Sequence, residues 1–180
     1  MTRKLVHDEI SQRRFTPEEL SRAPRAPIYV LLDNIRSMYN VGSIFRTADG
    51  ARVTKLLLCG YTPTPPRKEI EKTALGSTET VPWEYYASTG LAIDAMRRAR
   101  IPICVIEHTD MSIPYYDVAK SDFPLCLVLG NEITGVSKEC IEATNLAVDI
   151  PMFGMKQSLN VAVAFGIVVF EFSRLLKATE

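Results

Sequence analysis

"IYVLLDNIRSMYNVGSIFRTADG", Ile28 to Gly50, changes its period midway. Its opening is an apolar run closed by Asp33, with none of the polar alternation of a half-buried strand. Such a run suits a strand covered on both faces. From Asn40 the spacing becomes helical. Val41, Ile44, Phe45 and Ala48 share one face, Asn40 is able to cap that helix and Gly50 to end it. A buried strand, a polar loop and a helix in succession form the repeating unit of a parallel α/β sheet.

The same alternation continues along the chain. "VTKLLLCG" reads as a second strand, "YTPTPPRKE" as a proline-rich loop, Ser88 to Arg100 as a helix and "ICVIEH" as a strand. "LCLVLG" from Leu125 is another buried strand, followed by a helix from Ser137, the strand "LAVDIP" and a final helix. Ahead of them, "TPEELSR" from Thr16 carries a cap, a Pro at the first helical position and early acids. The reading is an α/β fold, a parallel sheet with helices on both faces. Residues 1–27 form an N-terminal helical arm before one domain over 28–180. Ligands of such sheets bind at the carboxyl ends of the strands. Three polar clusters follow strands: "DNIRSMYNVGSIFRTADG", "GNEITG" and "GMKQSLN".

Composition narrows the class. The chain has 180 residues, 47% apolar and 23% charged, which fits one globular domain. Its longest apolar run, Val161 to Phe170, is too short to span a bilayer, and the N-terminus lacks the apolar middle of a signal peptide. A cytoplasmic protein without a membrane partner is expected. Cys59, Cys104, Cys126 and Cys140 show no metal-ligand spacing and read as buried free thiols. Net charge is zero, but residues 36–72 hold seven basic and three acidic side chains, while 101–180 hold five and ten. An anionic ligand at one face and ordinary solvated charge both fit this asymmetry.

The motifs exclude some chemistry. Gly130 and Gly135 have phosphate-loop spacing, but Val136 stands where a lysine is required, and no G-x-G occurs for a dinucleotide. Glu132 sits between the glycines after a buried strand, where an unpartnered carboxylate would be costly. Arg46 lies roughly 150° from the apolar stripe of its helix, pointing away from its own core. Ser158 is able to cap the last helix, whereas Asn160, a poor helix former, lacks that explanation. Apolar on every side, Val161 to Phe170 calls for a covering element, such as a partner subunit. His7 and His108 read as ordinary. Trp83 and the tyrosines of "VPWEYY" fit either packed aromatics or a base-stacking surface.

"NVGSIFRTADG", "LVLGNEITGVS" and "DIPMFGMKQSLNVAVA" together resemble, in order and setting, the three motifs of the SpoU (TrmH-type) branch of the SPOUT RNA methyltransferases. The resemblance covers about Ile28 to Lys177. It implies a C-terminal trefoil knot, a homodimer and a ribose 2′-O-methyltransferase that uses S-adenosyl-L-methionine. Asn40, Arg46, Glu132, Ser158 and Asn160 match the family's functional residues. Leu129, Gly130, Asn131, Ile150, Met152, Ser158 and Leu159 would hold the cofactor, and no metal is required. On this reading Arg46 stabilises the reacting hydroxyl, Asn40, Ser158 and Asn160 orient Arg46 and the ribose, Glu132 holds the loops, and Gln157 is assigned no role.

The chain is short for an added RNA-binding domain, so Arg13, Arg14, Arg22, Arg25, Arg36, Arg46, Arg67 and Lys68 are the expected RNA contacts. Recognition by local shape favours tRNA over rRNA. Two other readings stay open at this level: a catalytically inactive RNA-binding module, and a methyltransferase acting on a base or a protein.

Overall fold

The computed structural model describes residues 2–12 and 15–177. Helices α1 (His7–Ser11) and α2 (Pro17–Arg22) precede strand β1 (Ala26–Asp33), which starts two residues before the apolar run. There follow α3 (Met38–Ala51), β2 (Val53–Cys59), α4 (Lys68–Ala74), α5 (Ser77–Thr80), β3 (Trp83–Tyr86), α6 (Thr89–Arg98) and β4 (Ile103–Ile106). The chain continues through β5 (Ile113–Pro114), β6 (Leu125–Leu129), α7 (Lys138–Ala143), β7 (Leu146–Asp149) and α8 (Val161–Lys177). The strands form one sheet in the order β3-β2-β1-β6-β4-β7-β5, and every pairing is parallel.

Each face of the sheet has its own core, because successive strand residues point to opposite sides. Val30, Leu32, Leu56, Leu58, Leu127 and Leu129 pack with α3, α4 and α8. Leu31, Leu57, Cys126, Val128 and Val105 pack with α6 and α7. All four cysteines are free and buried, and burial raises their thiol pKa values. Asp33 is also buried at the end of β1, and three donors satisfy it. Its carboxylate accepts from Thr89 Oγ1 (2.9 Å), Asn34 Nδ2 (2.9 Å) and the Ser137 amide (2.7 Å), which ties β1 to the starts of α6 and α7.

Two helix ends differ from expectation. Ser37, not Asn40, caps α3, its Oγ accepting from the Asn40 amide at 3.3 Å. The helix therefore starts three residues earlier and frees the Asn40 side chain for another bond. Gly50 does not end α3; the turn comes at Arg52, which takes a left-handed conformation with φ 52°. The proline-rich loop gives way to α4 at Lys68. Trp83 packs edge-on against Phe45 at 6.4 Å between ring centroids, so the packed reading holds for it, while Tyr85 on the same strand is exposed.

Residues 20–25 dock at the amino ends of the strands. Thr16 and Glu19 cap α2 reciprocally, at 3.2 and 2.8 Å. Arg25 donates to the carbonyls of Val53 (3.1 Å) and Thr80 (2.7 Å), and Arg52 reaches those of Pro24 and Leu20 (both 3.2 Å). Arg25, one of the arginines expected to contact RNA, is thus a structural clamp whose guanidinium bonds to two backbone carbonyls. Replacing Arg25 with Ala is expected to destabilise the fold by about 1–3 kcal/mol, since two carbonyls lose a charged donor. Arg22→Ala, which removes an exposed pair with Glu18, should cost no more than ~0.5 kcal/mol. Urea unfolding of both variants checks this, and equal stabilities would dismiss the clamp.

Candidate active site

A cleft of about 880 Å³ opens over the carboxyl ends of β4, β6 and β7. Every residue expected at the cofactor site lines it: Leu129, Gly130, Asn131, Ile150, Met152, Ser158 and Leu159. Its walls are apolar at Ile106, Leu129 and Ile150, and its rim carries Glu107, Glu132 and Asp149. The floor is shaped by close backbone approach. A Cβ on Gly130 would collide with the backbone of Gly135 and Val136, so the loop closes on itself only because residue 130 is glycine. Gly135 sits at φ +70°, and a Cβ there would meet Glu107 Oε2.

Glu132 joins the three polar clusters. Its Oε2 accepts from the Arg36 amide (2.9 Å), and its Oε1 accepts from the Ser37 amide (3.0 Å) and from Asn40 Nδ2 (2.9 Å). Asn40 Oδ1 in turn accepts from Asn160 Nδ2 at 3.1 Å. Asn160 Oδ1 then accepts from the amides of Ala162 (3.0 Å) and Val163 (3.3 Å), so Asn160 is the cap of α8. This reverses the reading in which Ser158 was the candidate cap. Asn fits there because a cap needs a short acceptor, not a helix former. Ser158 is exposed and left to line the cleft. Partial burial pushes the Glu132 pKa up, but the donors from Arg36, Asn40 and Ser37 outweigh it, and the carboxyl titrates below its ordinary range.

Asn131 lines the cleft with its side chain committed elsewhere. Its Nδ2 donates to the Asn34 carbonyl (2.7 Å) and Tyr61 OH (2.8 Å), and its Oδ1 accepts from Ile133 (2.8 Å) and Thr134 (3.1 Å) amides. Arg46 is not among the lining residues. It projects from α3 as an exposed side chain, with no hydrogen bond or ion pair to the described residues. Arg36, Arg67 and Lys68 are exposed near the starts of α3 and α4. Arg13 and Arg14 lie outside the described residues. Among the described residues, no group of three or more His, Cys, Asp or Glu side chains is placed to hold a metal ion.

Three lining residues escaped the sequence. Glu107 Oε2 accepts from the Val136 amide (3.1 Å), a role signalled only by its position after a buried strand, as for Glu132. His108 Nε2 donates to the Gln157 carbonyl (3.0 Å), and its Nδ1 lies 3.6 Å from Asp149 Oδ2. Gln157 therefore takes part through its backbone, which explains why its side-chain type carried no signal.

Residues 27–170 match the SpoU rRNA Methylase family. The chain belongs to that family. A SpoU relative from Thermus thermophilus, a tRNA (guanosine(18)-2′-O)-methyltransferase, is 30% identical over 171 residues, covering 94% of this chain and 86% of that protein. A 23S rRNA (guanosine-2′-O-)-methyltransferase of Burkholderia sp is 32% identical over 148 residues, 82% of this chain. The crystal structure of an AdoMet-bound rRNA methyltransferase from Sinorhizobium meliloti superposes with a TM-score of 0.77 at 31% identity, covering 91% of this chain. The chain spans 59% of the Burkholderia protein's length and 62% of the S. meliloti chain.

The Glu132 bridge has a defined pH dependence. Because the folded pKa is depressed, its stabilisation is complete above the unfolded value of about 4.3 and is lost as pH falls through the lower folded value. Glu132→Gln is expected to cost about 1 kcal/mol at neutral pH and to flatten the acid limb of stability. Urea unfolding at neutral and acid pH would read both, and an unchanged acid limb would count against the bridge. Gly130→Val should abolish cofactor binding by opening the 130–136 loop; calorimetric affinity equal to that of the parent protein would contradict this.

Proposed function

We propose that this SpoU chain transfers a methyl group from S-adenosyl-L-methionine to a ribose 2′-hydroxyl of RNA. One observation carries the reading: the second and third family motifs line one cleft, and the first is tied to them through the Glu132–Asn40–Asn160 chain. The cleft also fits the cofactor chemically. Its volume suits a ligand of that size, its apolar walls suit an adenine face, and Glu107 and Asp149 suit the positive charges of the ammonium and sulfonium. The cofactor supplies an electrophilic methyl on sulfur, and the thioether product leaves neutral.

Backbone at Leu129, Gly130, Ile150, Met152 and Leu159 would hold the cofactor. Ser158, at the polar mouth, orients the ribose. Asn40 and Asn160 hold each other and the loop of Glu132, so they position the mouth. The Arg46 guanidinium stabilises the alkoxide developing on the 2′-oxygen, while the hydroxyl proton passes to the neighbouring RNA phosphate. Since Arg46 lies outside its own cleft, it is assigned to the cleft of a second copy. A homodimer is supported by α8, which leaves Val163 and Phe170 about half exposed beside the exposed side of α3.

Transfer RNA is the favoured substrate, because the similarity to the Thermus tRNA enzyme runs across most of both chains. A C-terminal trefoil knot and cytoplasmic location belong to the same proposal, supported by the family. Among the described residues no helix is long and apolar enough to cross a membrane.

The test is transfer of labelled methyl to total tRNA and to rRNA, followed by nucleoside digestion. Label on ribose is expected, and label on a base would refute the assignment. Arg46→Ala is expected to lower transfer by at least ~100-fold with cofactor binding retained. Mixing inactive Arg46→Ala and Gly130→Val chains should recover transfer, because one site of each mixed dimer is complete. No recovery would place Arg46 in its own chain's site or remove it from the reaction.

A further inference from the structure

We infer that Tyr61 is a base-stacking residue, whose ring receives an unpaired RNA base next to the reacting nucleotide. The inference rests on the RNA reading above and goes beyond it by locating the path of the strand. Tyr61 follows β2 directly after Gly60, which has φ +61°. Its amide donates to Asn34 Oδ1 (3.3 Å), and its hydroxyl accepts from Asn131 Nδ2 (2.8 Å). Both ends are tied, yet the side chain is 62% exposed. Holding a large ring still in water costs rotamer freedom without burying the ring. The same arrangement is what a preorganised stacking platform needs, since the order is already present before a base arrives.

The anchor also sets the place. Asn131 precedes Glu132 and lines the cleft, so the ring stands beside the loop that organises the mouth. A second ring is held in the same way: Tyr85 OH donates to the Gly60 carbonyl (3.0 Å) with half of the side chain exposed. The loop that Tyr61 opens runs to exposed cations at the start of α4, and another follows β1. Arg36 follows β1, Arg67 and Lys68 open α4, and Lys72 lies 6.0 Å from the centre of the Tyr39 ring. Of the acids on α4, Glu69 stands among these cations and Glu71 bonds to Thr78 Oγ1 (3.0 Å). Cations tracking phosphates, interleaved with anchored aromatic faces, are the chemistry of a single-stranded nucleic-acid groove. A base buried in a duplex presents no free face, so the proposed ligand is an unpaired nucleotide.

The test compares affinity for a short oligouridylate with that for an abasic ribose-phosphate chain of the same length. Tyr61→Leu is expected to weaken oligouridylate binding by about fivefold or more and to leave the abasic chain unaffected. Tyr61→Phe, which keeps the ring and loses the anchor, should fall between Leu and the parent. Cofactor affinity should be unchanged in both. The salt slope should persist in Tyr61→Leu and decline in Arg67→Gln with Lys68→Gln. Equal loss for the two ligands would show a merely structural Tyr61, and no loss for either would also overturn the inference. If the parent protein methylates total tRNA while Tyr61→Leu does so with unaltered KM, only the stacking role fails. If the parent protein neither binds nor methylates any RNA, the functional reading itself fails.

Discussion

One carboxylate organises the working end of this molecule. Glu132 takes the amides of Arg36 and Ser37, at the amino end of α3, where the helix dipole favours negative charge. Through Asn40 it reaches Asn160, the cap of α8. Two helices on the same face of the sheet therefore start from one connected set of hydrogen bonds. Their packed cores determine where those starts can lie, so the cleft inherits its shape from the interior. Loss of the carboxylate would leave two amides and an amide side chain without their acceptor, at the place where the three loops must agree.

The sheet separates two tasks. Its amino ends carry the segment from Leu20 to Arg25, held by Arg25 and Arg52 on backbone carbonyls. Its carboxyl ends carry the cleft and the exposed cations of α3 and α4. Basic residues that look alike in the sequence thus differ in availability, and only tertiary contacts separate them. Arg25 and Arg36 are both arginines in the front of the chain, but Arg25 serves the fold and Arg36 faces solvent.

What was legible in the sequence follows from the range of the forces involved. Buried parallel strands write themselves as apolar runs, so β1, β2, β4, β6 and β7 were readable, as were α3, α6 and α8. The short edge strand β3 was not, because "WEYY" is half polar and pairs on one side only. The cap of α3 was misplaced by three residues, since Ser37 and Asn40 are both good caps and only the geometry of Glu132 distinguishes them. The cleft lining was legible through motifs that keep their order along the chain. Glu107 and His108 were not, because their partners, Val136 and Gln157, are remote in sequence and act through backbone; the anchoring of Tyr61 on Asn131, outside the cleft, was hidden by the same distance.

The pairing of β1 carries a consequence for synthesis. β1 lies between β2, its near neighbour in sequence, and β6, where Ile28 sits opposite Leu125. During translation the first strand acquires one partner early and must wait for most of the chain before it gains the other. In that interval an apolar edge from Ile28 to Leu32 is open to pairing with other chains. The cleft, which needs Asn160 as well, is among the last features to appear. Growing chains therefore go through a period of aggregation risk before any ligand of the cleft can help to hold them folded.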